Sequence, residues 1–170
     1  TLTLWLGILT VGGGVLAFDP LDLAALPWLA LDSRLLGLVL LLLPICYVLL
    51  GVLRQQPLAW RSWELPMVRP RLALPQIAVG ALDWVMAGVV LYALLPLDDG
   101  VSFGLVLSAF LVAQIAGLLS HIPGGLGVFE SVVLLLLHDH LPANDLLGAL
   151  LAFRLVYYLL PLILAAITLG

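Results

Sequence analysis

The 170-residue chain is 64% hydrophobic and 9% charged, with a mean hydropathy of +1.27 and a formal net charge of −4. Soluble domains are about half apolar and about a quarter charged, so this composition excludes one and points to a polytopic membrane protein. The charge pattern holds no basic block of the kind that binds nucleic acid. The lone Cys46, in an apolar run beside Pro44, excludes a disulfide framework.

Taken in order, Leu2 to Phe18 is the first apolar run, read as the end of a span. It lacks a basic leading region and a small-residue cleavage site, so it is not read as a signal peptide. Asp19 to Arg34 is a polar-flecked connection in which Trp28 suits an interfacial position. Leu35 to Leu53 is the second span, with Pro44 as a kink. Arg54 to Arg71 holds four of the six basic residues, Arg54, Arg61, Arg69 and Arg71, with Trp60 and Trp63 between them. Prolines at 57, 66 and 70 deny it a long helix, so it reads as a short interfacial segment. Its arginines then face anionic head groups, or form a plain basic loop, and the positive-inside rule makes this side cytoplasmic.

Pro75 to Leu95 is the third span, carrying Asp83 and Trp84, and Asp98 and Asp99 close it on the external side. Phe103 to Ser120 is the fourth apolar run. The helix then meets Pro123, Gly124, Gly125 and Gly127, where a missing amide donor and three absent Cβ atoms make a continuous helix improbable. The stretch after the break, Leu126 to Leu137, offers only about 18 Å of helix, too short for a bilayer core of about 30 Å. The fold expected is therefore all-α, a transmembrane bundle with a broken or re-entrant helix pair at Pro123–Gly127. His138 to Asp145 is a polar connection, and Leu146 to Leu169 is the last span, with Arg154, Tyr157, Tyr158 and Pro161 inside it. Residues 1–170 read as one membrane domain, cut from a longer protein because Thr1 is not an initiator methionine and Gly170 ends an apolar run.

Three ionisable residues fall within apolar spans: Asp83, Glu130 and Arg154. Each costs at least about 2.5 to 3.5 kcal/mol at a bilayer centre, so each needs a partner. Glu130 lies about 12 to 15 Å of helix from the His138–His140 end, and Arg154 about 12 Å into its span from the same side. The two sit at similar depth on consecutive helices, which predicts a Glu130–Arg154 pair. Asp83 is placed one turn deeper, within reach of a long arginine. Such a pair either locks the bundle or forms a head-group site, in which Arg154 presents a planar fork to phosphate. Glu130 and Asp83 then meet a cationic or hydroxylated group. The positive end of the half-helix starting near Leu126 points to the same place. Tyr157 and Tyr158 add hydroxyls and rings to it, or serve as ordinary packing.

No P-loop, CxxC, Ser–His–Asp set or dinucleotide fingerprint is present, so neither a catalytic residue nor a cofactor is assigned. His138-Asp139-His140 stands at a helix end with no further ligands in view, so no metal is assigned. His121 abuts the break, either as a polar residue lining the hinge or as a proton-responsive group.

Two segments carry a resemblance. Ser120-His121-Ile122-Pro123-Gly124-Gly125-Leu126-Gly127-Val128-Phe129-Glu130 and Phe153-Arg154-Leu155-Val156-Tyr157-Tyr158-Leu159-Leu160-Pro161 resemble the membrane region of the bacterial lysylphosphatidylglycerol synthetase and flippase family, the multiple peptide resistance factor. Leu82-Asp83-Trp84 and Leu91-Tyr92-Ala93-Leu94-Leu95-Pro96 match its style. The likeness runs from about Pro75 onward; the preceding spans match only as hydrophobic segments.

The resemblance implies a parent whose cytosolic C-terminal domain transfers lysine or alanine from aminoacyl-tRNA to phosphatidylglycerol. Its membrane part would carry the product to the outer leaflet of the bacterial inner membrane, lowering surface negative charge and affinity for cationic antimicrobial peptides. A wider group of relatives lacks the synthase domain. The partners expected are an aminoacylated phospholipid and the membrane, with a homo-oligomer left open. The rival expectations are a membrane anchor or dimerisation scaffold for a synthase, membrane-embedded transfer chemistry, and a transporter of another lipid or a small solute.

Overall fold

The computed structural model describes residues 2–18, 32–53, 58–60, 63–65, 70–96 and 101–169. Arg54, Arg61, Arg69, Trp28, Asp98 and Asp99 lie outside them. The elements are α1 (Leu2–Phe18), α2 (Ser33–Leu53), a two-stranded antiparallel hairpin of β1 (Leu58–Trp60) and β2 (Trp63–Leu65), and α3 (Pro70–Leu94). Then come α4 (Phe103–Leu119), α5 (Val128–Leu137), α6 (Ala143–Arg154) and α7 (Leu160–Leu169). The protein is an α-helical membrane bundle. Ser33–Leu53, Arg71–Leu94 and Ala143–Thr168 are each long and apolar enough to cross a bilayer.

Several boundaries differ from the sequence reading, each for a local reason. α2 starts two residues early because Asp32 caps it, its carboxylate accepting from the Arg34 amide at 3.0 Å. α3 begins at Pro70, not Pro75, and so takes in Arg71, which had been read into the interfacial loop. Proline is tolerated in a first turn, where its missing donor would be unpaired anyway, and Pro75 is then accommodated inside the helix. The last span starts at Ala143, so Ala143 to Asp145 are helical rather than part of the polar connection. Near Pro161, which has no amide to bond the Tyr157 carbonyl, the helix switches to π geometry over Leu155–Leu159. The Leu160 amide there reaches the Leu155 carbonyl.

α1 packs against α2, α3 and α4. Two crossings bring backbones together. A Cβ on Gly7 would lie 2.3 Å from the Gly80 carbonyl carbon, and one on Gly13 would lie 2.8 Å from the Gly37 oxygen. Small residues at such points let helices approach closely where lipid supplies no hydrophobic drive. The Trp84 indole N–H also donates to the Leu4 carbonyl at 2.8 Å, tying α3 to α1.

α4 and α5 pack on each other as a hairpin. α4 is about 25 Å long and α5 about 15 Å, whereas the continuous rod of α6, the π segment and α7 is about 39 Å. The hairpin tip touches Arg154, and residues 155–169 of that rod continue for about 22 Å beyond it. The tip therefore meets that rod near its middle, and α4 and α5 form the broken or re-entrant pair at Pro123–Gly127. Phe110, Phe129 and Phe153 meet in its core, with Phe110 edge-on to the other two at 5.8 and 5.6 Å.

Candidate functional site

The break is built from backbone that L side chains resist. α4 ends at Leu119, and His121 takes a φ of 56°. Pro123–Gly125 form one 3-10 turn, with Gly124 at φ 65° and Gly125 at φ 59°. Gly127, at φ 83°, precedes α5. Gly125 also packs on α4, where an added Cβ would come within 3.2 Å of the Gly117 Cα. Glycine suits the left-handed backbone at all three positions, and at Gly125 it also allows the close approach to α4.

This loop positions Glu130 and Arg154 together. The Arg154 Nε–H donates to Glu130 Oε1, forming an ion pair in which the side chains are 16% and 20% exposed respectively. The Arg154 Nη1 donates to the Gly124 carbonyl at 3.1 Å. The Glu130 Oε2 accepts from the Gly127 amide at 2.8 Å, an acid three residues into the helix reaching back to its first amide. α5 starts at Val128, and Glu130, its own carboxylate, occupies one of the amides at that end.

Aromatic faces hold the guanidinium on two sides. Its carbon lies 5.9 Å from the Phe129 ring centre and 5.8 Å from that of Tyr158. Tyr157 stacks on Phe153 at 5.2 Å and meets Tyr158 edge-on at 5.5 Å. Of the five guanidinium N–H donors, two are used by Glu130 and Gly124. The other three have no partner among the described residues. The tip residues around them, Pro123, Gly124, Leu126 and Gly127, are exposed.

Asp83 stands apart from the pair. It is exposed on α3 and makes no hydrogen bond or ion pair among the described residues. Asp83 therefore does not pair with Arg154, whose partners are Glu130 and the Gly124 carbonyl. Arg71 is exposed in the first turn of α3, far along that helix from Asp83. Among the described residues no cluster of His, Cys, Asp and Glu is arranged to hold a metal. His138 instead faces its neighbour Asp139 at 3.1 Å.

Sequence reasoning missed the Gly124 carbonyl, the Gly127 amide and Phe129 as parts of the site. A backbone acceptor has no side-chain signature. An acid three residues after Gly127 was a legible signal for the amide.

The chain is similar to an inner membrane protein and to phosphatidylglycerol lysyltransferases. It is 31% identical over 169 residues to the Escherichia coli inner membrane protein YbhN, covering 97% of this chain and 52% of YbhN. It is 35% identical over 161 residues to the Staphylococcus aureus phosphatidylglycerol lysyltransferase, covering 82% of this chain and 19% of that protein. The chain is homologous to a region of the phosphatidylglycerol lysyltransferases. The Staphylococcus haemolyticus lysyltransferase shares 41% identity over 91 residues, covering 52% of this chain and 11% of that protein. A Synechocystis protein named only as uncharacterized, slr0712, is 41% identical over 172 residues, which is 99% of this chain and 53% of slr0712. The chain thus spans about half the length of YbhN and slr0712 and a smaller part of the lysyltransferases. No protein-family model matches it.

Proposed function

We propose that the chain forms a lipid-translocating domain of the bacterial inner membrane, carrying aminoacylated phosphatidylglycerol from the inner to the outer leaflet. The observation that carries this reading is the Arg154–Glu130 pair at the tip of a re-entrant hairpin, with guanidinium donors left over. A charged pair inside an apolar bundle is costly, which makes a functional role the default hypothesis for it, and a planar fork with donors left over suits a phosphate diester. Glu130 holds the guanidinium in place by its short leash to the Gly127 amide. Tyr158 faces the same guanidinium with Tyr157 edge-on beside it, and in this reading their rings and the exposed Asp83 carboxylate meet an aminoacyl ammonium group. The head group then turns over at the hairpin tip while the acyl chains stay in lipid.

The homology to phosphatidylglycerol lysyltransferases supports this choice of lipid. The lower surface charge and resistance to cationic peptides follow from it as consequences. The competing reading, an anchor or dimerisation scaffold for a synthase, gives the pair a purely structural role.

Arg154→Lys separates them. Lysine keeps the charge and can still pair with Glu130 but loses the fork. The protein is expressed in cells that make lysylphosphatidylglycerol, and outer-leaflet lipid is labelled with a membrane-impermeant amine reagent. Translocation predicts normal protein abundance with outer-leaflet labelling reduced at least about tenfold, the effect of about 1.4 kcal/mol of lost phosphate recognition. Unchanged labelling at normal abundance favours the scaffold.

A further inference from the structure

We propose that the β-ribbon between α2 and α3 is a membrane-surface anchor: one face of it lies on the head-group region of the leaflet, and the arginine-rich stretch around it selects anionic phospholipids. The pairing register fixes the faces. β1 and β2 pair antiparallel, Leu58 with Leu65, Ala59 with Glu64 and Trp60 with Trp63. Residues paired directly across a ladder share a face, and faces alternate along each strand. Leu58, Trp60, Trp63 and Leu65 therefore fall on one face, Ala59 and Glu64 on the other. The sequence Leu58-Ala59-Trp60-Arg61-Ser62-Trp63-Glu64-Leu65 is near-palindromic, so a ribbon with two residues between its strands sets like against like.

The position of the ribbon says what covers the apolar face. It joins Leu53, the end of one helix long enough to cross the bilayer, to Pro70, the start of the next. The chain leaves the membrane by α2 and re-enters by α3, so the ribbon stands at the membrane surface. A lone two-stranded ribbon is marginal in water and needs an apolar face covered. Among the described residues no helix packs extensively on it. Tryptophan is enriched at the membrane–water boundary, where its ring suits the head-group level, and here two tryptophans pair on the apolar face. Charge selects the lipid. From residue 54 to residue 71 the sequence holds four arginines, Arg54, Arg61, Arg69 and Arg71, against one acid, Glu64, and Glu64 falls on the opposite face. Basic residues at a bilayer surface attract anionic head groups. The ribbon shares no residue with the Arg154 site, so the inference does not depend on which lipid that site holds.

The test reads tryptophan fluorescence of the full chain in vesicles of equal phosphatidylglycerol and phosphatidylcholine, with bromine, a contact quencher, placed in one lipid at a time. The signal of the ribbon is the difference between the native protein and Trp60→Phe with Trp63→Phe, since Trp5, Trp28 and Trp84 are common to both. The single variants give the same subtraction if the double one is recovered poorly. Bromine at the top of the acyl chains should quench that signal at least about twofold more than bromine at the chain ends, as for rings at the head-group level. Bromine carried by phosphatidylglycerol should report an enrichment of about fivefold over bromine carried by phosphatidylcholine, the worth of one arginine at an anionic surface. A probe on the other face, Ala59→Trp in the double-phenylalanine background, should be reached by aqueous acrylamide and by neither brominated lipid. A ribbon signal indifferent to both lipids and open to acrylamide overturns the anchor. Equal quenching by the two lipids overturns the selection of anionic head groups. Lipid quenching of the Ala59→Trp probe equal to that of the native pair overturns the assignment of faces.

Discussion

Glu130→Gln isolates what the charge pair contributes. The amide keeps the shape of the acid and can still accept from Gly127, but Arg154 loses its counter-ion inside the bundle. Breaking a fully buried pair costs about 3–5 kcal/mol. Here the two side chains are 16% and 20% exposed, and Arg154 keeps its bond to the Gly124 carbonyl, so about 2 kcal/mol is the scale expected. For a chain of this size that lowers the thermal midpoint by about 4–8 °C, read from tryptophan fluorescence in detergent. The double variant Glu130→Gln with Arg154→Met removes the orphaned charge and places a flexible apolar side chain between Phe129 and Tyr158. It should recover most of the lost stability, because replacing a buried pair by packed apolar groups is often neutral. It should not recover outer-leaflet labelling of the aminoacylated lipid. Recovery of both stability and labelling would refute the head-group role and leave the pair as a lock.

Three further outcomes are expected. Gly125→Ala should destabilise the protein by about 1 kcal/mol or more beyond Gly127→Ala, read as a lower thermal midpoint, because both strain left-handed backbone but only Gly125 also presses on Gly117. Gly7→Val should abolish recovery of folded protein, since its Cβ falls 2.3 Å from the Gly80 carbonyl carbon, whereas Gly14→Ala, with nothing within 4 Å, should leave yield unchanged by gel filtration. Pro161→Ala restores an amide donor for the Tyr157 carbonyl. It should remove the π segment, raise the thermal midpoint and reduce lipid labelling as Tyr157 and Tyr158 turn away from Arg154.

The apolar runs placed the helices because in a membrane protein hydrophobicity is nearly continuous along each span. The loop at Pro123–Gly127 was legible because proline and glycine act locally. Counting residues inward from a shared polar end put Glu130 and Arg154 at one depth, and they meet. Contacts between distant helices were not legible. Gly7 and Gly80, or Gly13 and Gly37, look like any glycines in a sequence, and only the folded backbone shows which pairs touch. Asp83 was placed by depth alone, which fixes height but not direction around the helix, so which of the two acids would pair with Arg154 was not legible from depth. Pro161 was visible, but its effect, a shift of hydrogen-bond register over Leu155–Leu159, depends on how the helix relaxes around a missing donor.

The two glycine crossings of α1 have a mechanical consequence. Where backbones touch, no layer of side chains remains to slide or change rotamer, so α1, α2 and α3 should respond to force as one stiff frame. The broken hairpin is attached differently, through packed side chains such as Leu107, Leu111 and Phe110 and, at its tip, through the Arg154–Glu130 pair. Any rearrangement that lets a bulky lipid pass is expected in that softer half, with the frame as the fixed support it moves against.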